Sequence, residues 1–243
     1  VKVRRLVLLG VGVLALLTAC SGQSTSPPPP AATSTKAAPI AGALPGNQVE
    51  PAVKTAFQSA TAVHISGTLN NGSGALTLDL QLNKDDSASG TVSEGGPSIP
   101  VRSVHGVDYM QFTPQVISGD TNPAVKKAGA ALTNKWVVGT SSLASDVVNG
   151  LKPLLDYNDF LSNMFSTQSQ VPQATTLDVV DNTPVIVYEA ADGASVYVAK
   201  TAPHYLMRLT SPSAGSGQLD FTGWNKPVPV AAPPAAQLYH ATG

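Results

Sequence analysis

Apolar and polar residues alternate with period two over two long stretches of the chain. Val63, Ile65 and Leu69 alternate with His64, Ser66 and Thr68, and Leu76, Leu78, Leu80 and Leu82 alternate with Thr77, Asp79 and Gln81. Such alternation predicts strands with one buried and one wet face, the habit of antiparallel sheets. The connection Asn70-Asn71-Gly72-Ser73-Gly74 is turn-forming, as are Asn83 to Ser87 and Gly95-Gly96-Pro97. Further strands over Ala88 to Glu94, Ile99 to Val104 and Val107 to Phe112 extend a meander, with His105-Gly106 as its last tight turn.

Ahead of the meander the period is helical. Val49, Val53, Ala56, Phe57 and Ala60 line one face, and Pro51 suits a first turn, where a missing amide hydrogen costs little. From Thr113 to Val171 the pattern changes. Asn122-Pro123 starts a short helix to Leu132, Lys135 to Val138 reads as extended, and Ser142 caps a helix ending at Asn149-Gly150. Phe160, Leu161, Met164 and Phe165 form an apolar stripe that reads either as core or as a lid over a curved sheet. Beyond Pro172 alternation returns over Thr175 to Asp181, Val185 to Ala190, Ala194 to Lys200, Tyr205 to Thr210 and Gln218 to Phe221. Trp224 and Lys226 to Val230 close the domain, and the tail beyond Pro234 is expected to be loose.

The first 47 residues belong to neither pattern. Lys2, Arg4 and Arg5 precede the uncharged run Leu6 to Ala19, which ends at Cys20, the one cysteine of the 243 residues. A basic start, a short apolar run and small residues before a cut define a secretory leader. Leu17-Thr18-Ala19-Cys20 resembles the bacterial lipobox, at which the thiol is joined to diacylglycerol and the chain is cut between Ala19 and Cys20. Fourteen residues are short of the roughly 20 that a spanning helix needs. A lone thiol has neither a disulfide partner nor a second metal-binding thiolate within the chain. From Ser21 to Asn47 the residues are largely Ser, Thr, Pro, Ala and Gly, including Pro27 to Pro30, and read as a disordered linker. Four segments follow: leader 1–19, anchored linker 20–47, folded domain 48–233 and tail 234–243.

Without the leader, 11 basic residues face 15 acidic ones, a balance near −4. With charged residues at 12% and no basic cluster, a nucleic-acid surface is excluded as an expectation. Catalytic chemistry finds no foothold in the pattern. There is no Gly-x-Ser-x-Gly elbow, and His64, His105, His204 and His240 are scattered over a wet strand face, turns and the tail. Lys84-Asp85-Asp86 is too short for a calcium loop, and no phosphate loop or zinc spacing occurs. No enzyme activity, cofactor or metal is expected.

The order of leader, lipobox, tether, helix, meander, helical middle and second meander resembles the LppX/LprG-type actinobacterial lipoproteins, whose fold is similar to that of LolA and LolB. The resemblance covers about residues 48 to 233. Its local carriers are His105-Gly106-Val107-Asp108-Tyr109, Lys135-Trp136-Val137-Val138, the hairpin Tyr197 to Leu209 with Pro203 between its strands, and Phe221 to Val228. It implies an α+β fold, a curved antiparallel sheet forming a half-open barrel with helices over its concave face. It further implies an apolar cavity for acyl chains of lipids or lipoglycans, a lipid anchor on the outer face of the cell membrane, and an envelope transporter as partner. Leu76, Leu78, Leu80, Leu82, Phe160, Leu161, Met164 and Phe165 are the lining residues expected on this view. The same residues also suit a solid core, which would leave an anchored protein-interaction or scaffold domain without a cavity.

Overall fold

A computed structural model describes residues 39–70, 74–165, 171–212 and 217–240. The leader, Ala19, Cys20 and most of the linker lie outside these residues. The described elements are helix α1 (Gly46–Ser59), strands β1 (Ala62–Asn70), β2 (Ala75–Asn83), β3 (Ala88–Glu94), β4 (Ile99–Val104) and β5 (Val107–Phe112), helices α2 (Pro114–Gly119) and α3 (Pro123–Leu132), strand β6 (Lys135–Val138), helices α4 (Ser145–Leu155) and α5 (Tyr157–Phe165), and strands β7 (Gln173–Val180), β8 (Thr183–Glu189), β9 (Ser195–Ala199), β10 (Leu206–Ser211) and β11 (Gly217–Thr222).

The strands form one antiparallel sheet in the order β6-β5-β4-β3-β2-β1-β11-β10-β9-β8-β7. Two meanders are joined where β1 pairs with β11, His64 opposite Thr222 and Ile65 opposite Phe221. The sheet does not close, and β6 and β7 stand at its ends. Its concave face curls round the helices, so that residues of β1 to β6 and of β8 to β11 share one apolar core with α1, α4 and α5. The alternation predicts the antiparallel strands, and the α+β half-barrel they build is the one that the resemblance implies.

Sequence and structure part at several places, one of them the end of the expected disordered linker 20–47, where Ile40, Ala43 and Leu44 pack against the core and α1 has begun by Gly46 because these apolar side chains gain cover there. Helix α1 starts at Gly46, so Pro51 lies in its second turn. Helix α4 does not stop at Gly150 but runs through it and Pro153 to Leu155, and its N-cap is Ala144 rather than Ser142. The gain is apolar contact: Val148 and Leu155 are buried, and Val147, Leu151 and Leu154 pack against the core, which outweighs about 1 kcal/mol for an interior glycine. The tail is not loose over its described part. Leu238 bridges to Trp136, the Tyr239 amide donates to the Trp136 carbonyl at 2.8 Å, and Lys135 Nζ donates to the Ala236 carbonyl at 2.7 Å. These bonds cover the β6 edge, which would otherwise present unpaired backbone groups.

Candidate functional site: the concave face and its rim

The concave face is built by strand parity. Residues opposite one another in the ladder share a face, so Leu80 lies between Ile65 and Gly90, and Leu78 between Gly67 and Val92. Leu78, Leu80 and Leu82 are buried, as are Phe160 and Leu161 on α5, and Leu76 and Met164 are half-buried against the same cluster. Phe165 ends α5, and its side chain lies outside the described atoms. The leucines of β2 and the stripe of α5 thus meet in one core.

Burial is graded along the strands. At the base, where β1 begins and β2 ends, Val63, Ile65, Leu80 and Leu82 are sealed. An aromatic group closes this end: Phe57 lies 6.1 Å from Tyr157 and from Phe221 and 4.6 Å from Trp224. Tyr157 Oη donates to the Phe57 carbonyl at 2.8 Å, and burial pushes its phenol well above the usual range. At the opposite end, the rim, Leu69, Leu76, Ile99, Val196 and Leu209 are only partly covered.

Between α1, α5 and strands β9 and β10 a crevice opens, lined by Val49, Glu50, Val53, Met164, Val196, Leu206 and Leu209. Its free volume is about 10 Å³, enough for about one water, whereas ligand pockets run to about 300–1,000 Å³. At this crevice the space between sheet and helices is nearly filled by side chains in this conformation. Among the lining residues expected from sequence whose side chains are described, only Met164 reaches the crevice. Leu206 and Leu209 were obscured because the register of β10 slips between Leu206 and Arg208. That slip puts Leu206 and Leu209, three apart, on one face, a spacing that simple alternation does not flag.

A second crevice of about 30 Å³ lies at the base among Asp86, Ser103, Gly106, Asp108, Lys152, Leu155 and Asp156. Among the described residues no three His, Cys, Asp or Glu side chains are grouped to hold a metal. His64 Nε2 contacts Asp79 Oδ1 at 2.7 Å and Nδ1 contacts the Thr222 hydroxyl at 3.2 Å, on the wet face. His204 Nδ1 donates to the Ala199 carbonyl at 3.1 Å. These contacts hold turns and strands together. No described helix is long and apolar enough to cross a membrane.

Among solved structures, LprF from Mycobacterium bovis superposes with a TM-score of 0.51 over 77% of this chain and 96% of its own, at 13% identity. The chain has the LprF fold. The lipoprotein LppX of Mycobacterium tuberculosis aligns over 76% of this chain and 98% of its own at 16% identity, with a TM-score of 0.47 that is too low to carry weight. No protein-family model and no curated protein matches the sequence. The likeness to LprF is one of architecture: helices laid on the concave face of an open antiparallel sheet.

Proposed function

We propose that the chain is an exported lipoprotein, held to the outer face of the cell membrane by diacylglycerol on Cys20, that binds an acyl-chain ligand between its helices and its sheet. The observation that carries this reading is the graded concave face: an apolar surface sealed at the base and parted at the rim, within the LprF fold. In the described conformation α1 and α5 lie close on β9 and β10, with a crevice of about 10 Å³ between them. Loading requires α1 and α5 to move off β9 and β10, and burial of the ligand's apolar surface at about 25 cal/mol per Å² offsets the separation. No covalent step is needed, and lipids or lipoglycans of the envelope are the ligand class, with a transporter as donor or acceptor.

The test uses the full chain recovered from membranes. Organic extraction followed by mass spectrometry should release a non-covalent lipid distinct from the chains on Cys20, and a fluorescent fatty acid should bind saturably. Val196→Trp and Leu209→Trp, which fill the crevice from half-buried positions, should lower uptake while leaving the fold intact. Clean extracts together with no saturable uptake would sink the reading. The nearly filled crevice favours one alternative, an anchored interaction domain whose core never opens. For that domain the tryptophan variants would change stability alone.

A further inference from the structure

Five large apolar side chains are exposed among the described residues, and the three most exposed, Val171 at 65%, Val179 at 61% and Leu177 at 52%, stand on β7 or just before it, on the side of the sheet where one further segment packs. The segment is Pro39 to Gly46, which leads into α1 and ends at its first residue. It lies along the concave face of β8 and β9, with Ile40, Ala43 and Leu44 turned to the core and the Leu44 amide donating to Tyr188 Oη at 2.7 Å. One end passes Lys200, whose amide bonds to the Pro184 carbonyl, and Pro184 stands opposite Val179. The other end packs Gly46 against Val171 and Pro172. Leu177 stands opposite buried Ile186, so it continues the concave face past the point where cover ends. Pro39, Ala41, Gly42 and Pro45 are themselves exposed, and the whole stretch from Pro39 to Asn47 is uncharged.

Part of the edge backbone is taken up by its own side chains. Asp181 and Asn182 form a two-residue hairpin turn with positive φ at both positions, so Val180 and Thr183 exchange ladder bonds and the backbone groups of Leu177 and Val179 point outward. Asp178 Oδ1 accepts the Val179 amide at 2.7 Å, and the Thr176 hydroxyl donates to the Leu177 carbonyl at 3.3 Å. Beside this edge Val171, Leu177 and Val179 leave an apolar side-chain surface, bordered by Asp178 and Lys200, at the point where the chain leaves the domain toward Cys20.

We propose that this surface, Pro39 to Pro45 with Val171, Leu177 and Val179, rests on the lipid bilayer that holds the anchor. Eighteen residues separate Cys20 from Pro39, so the patch stays within about 60 Å of the anchor at full extension. Tethering at that range supplies a high effective concentration, at which a small apolar contact suffices. Lys200 at the border has the long stem that lets an ammonium reach the headgroups while its methylenes stay low. Docked in this way, the end of the concave face at β7 meets the membrane sideways. The inference rests on the anchor proposed above but not on a ligand cavity.

The test places the full chain, acylated at Cys20, in vesicles of phosphatidylcholine and phosphatidylglycerol. Acylation leaves any introduced cysteine as the sole free thiol, so nitroxides are attached in Leu177→Cys, Val179→Cys and, as a control on α3, Lys127→Cys. Labels at 177 and 179 should gain collisions with oxygen and lose collisions with a water-borne nickel chelate, and the label at 127 should show neither change. Equal nickel access at all three positions on an acylated chain would overturn docking while leaving lipid uptake untouched. Spin–spin broadening at 177 that scales with protein density would identify a second copy as the occupant and would also overturn it. An intact, unmodified Cys20 thiol by mass would remove the anchor and this inference with it.

Discussion

Asn83 shows how much one side chain can carry without advertising it. By composition it begins a turn, yet it is 4% exposed and holds the closing segment to the base of the sheet. Its Nδ2 donates to the Val228 carbonyl at 2.8 Å and to Ser87 Oγ at 2.9 Å, and its Oδ1 accepts the Val228 amide at 3.3 Å. No spacing rule pairs residue 83 with residue 228, so this contact was not legible in the sequence. Asn83→Ala strands these partners, and urea unfolding should show a loss of about 2–3 kcal/mol. Tyr157 and Tyr188 make a second residue-scale case. Burial raises both phenols, which favours the neutral form in the folded state. Their contribution is therefore complete below the unfolded value near 10 and is lost as pH rises above it. Melting temperature should be level in this respect to about pH 10 and fall beyond it. Tyr157→Phe should soften the alkaline fall while costing about 1 kcal/mol at neutral pH through its lost bond to Phe57.

At the scale of elements, the strands were legible because alternation and exposure coincide: every buried leucine of β2 sits on the parity that the sequence marks. Helix α4 was misread at Gly150 because local propensity is a weaker signal than the stripe Val147, Val148, Leu151, Leu154 and Leu155, whose partners are distant in the chain. The bend of the sheet is another long-range feature. Gly90 in β3 has φ +149°, and a Cβ there would stand 1.9 Å from the Asp79 carbonyl oxygen of β2. A bare backbone at this position allows the close approach and strong coiling that curl a sheet over its helices. Gly90→Ala should therefore cost about 2–3 kcal/mol, read by thermal melting. Gly96→Ala, where the nearest atom would be 3.8 Å away, should stay within about 0.5 kcal/mol.

For the molecule as a whole, the two ends of the half-barrel differ in what must break for the cover to lift. At the base, α1 runs into β1, and Phe57, Tyr157, Phe221 and Trp224 interlock. At the rim, α1 and α5 meet β9 and β10 through Val49, Val53, Met164, Val196 and Leu209, with a crevice already between them. Alternation shows that a strand has an inner face but carries no measure of how tightly that face is covered, so the gradient was hidden from the sequence. It predicts a hinge at the base and opening at the rim. Native-state hydrogen exchange reads this directly, since local opening spans free energies from near zero up to that of global unfolding. Ladder amides near Val63 and Leu80 should exchange only with global unfolding, and those near Leu69, Leu76 and Leu209 should exchange through a cheaper opening by about 2 kcal/mol or more. Adding a long-chain fatty acid should slow the rim amides and leave the base unchanged. Uniform protection from base to rim, unaltered by fatty acid, would mean that the helices never part from the sheet short of unfolding, and the anchored interaction domain would then be the better account.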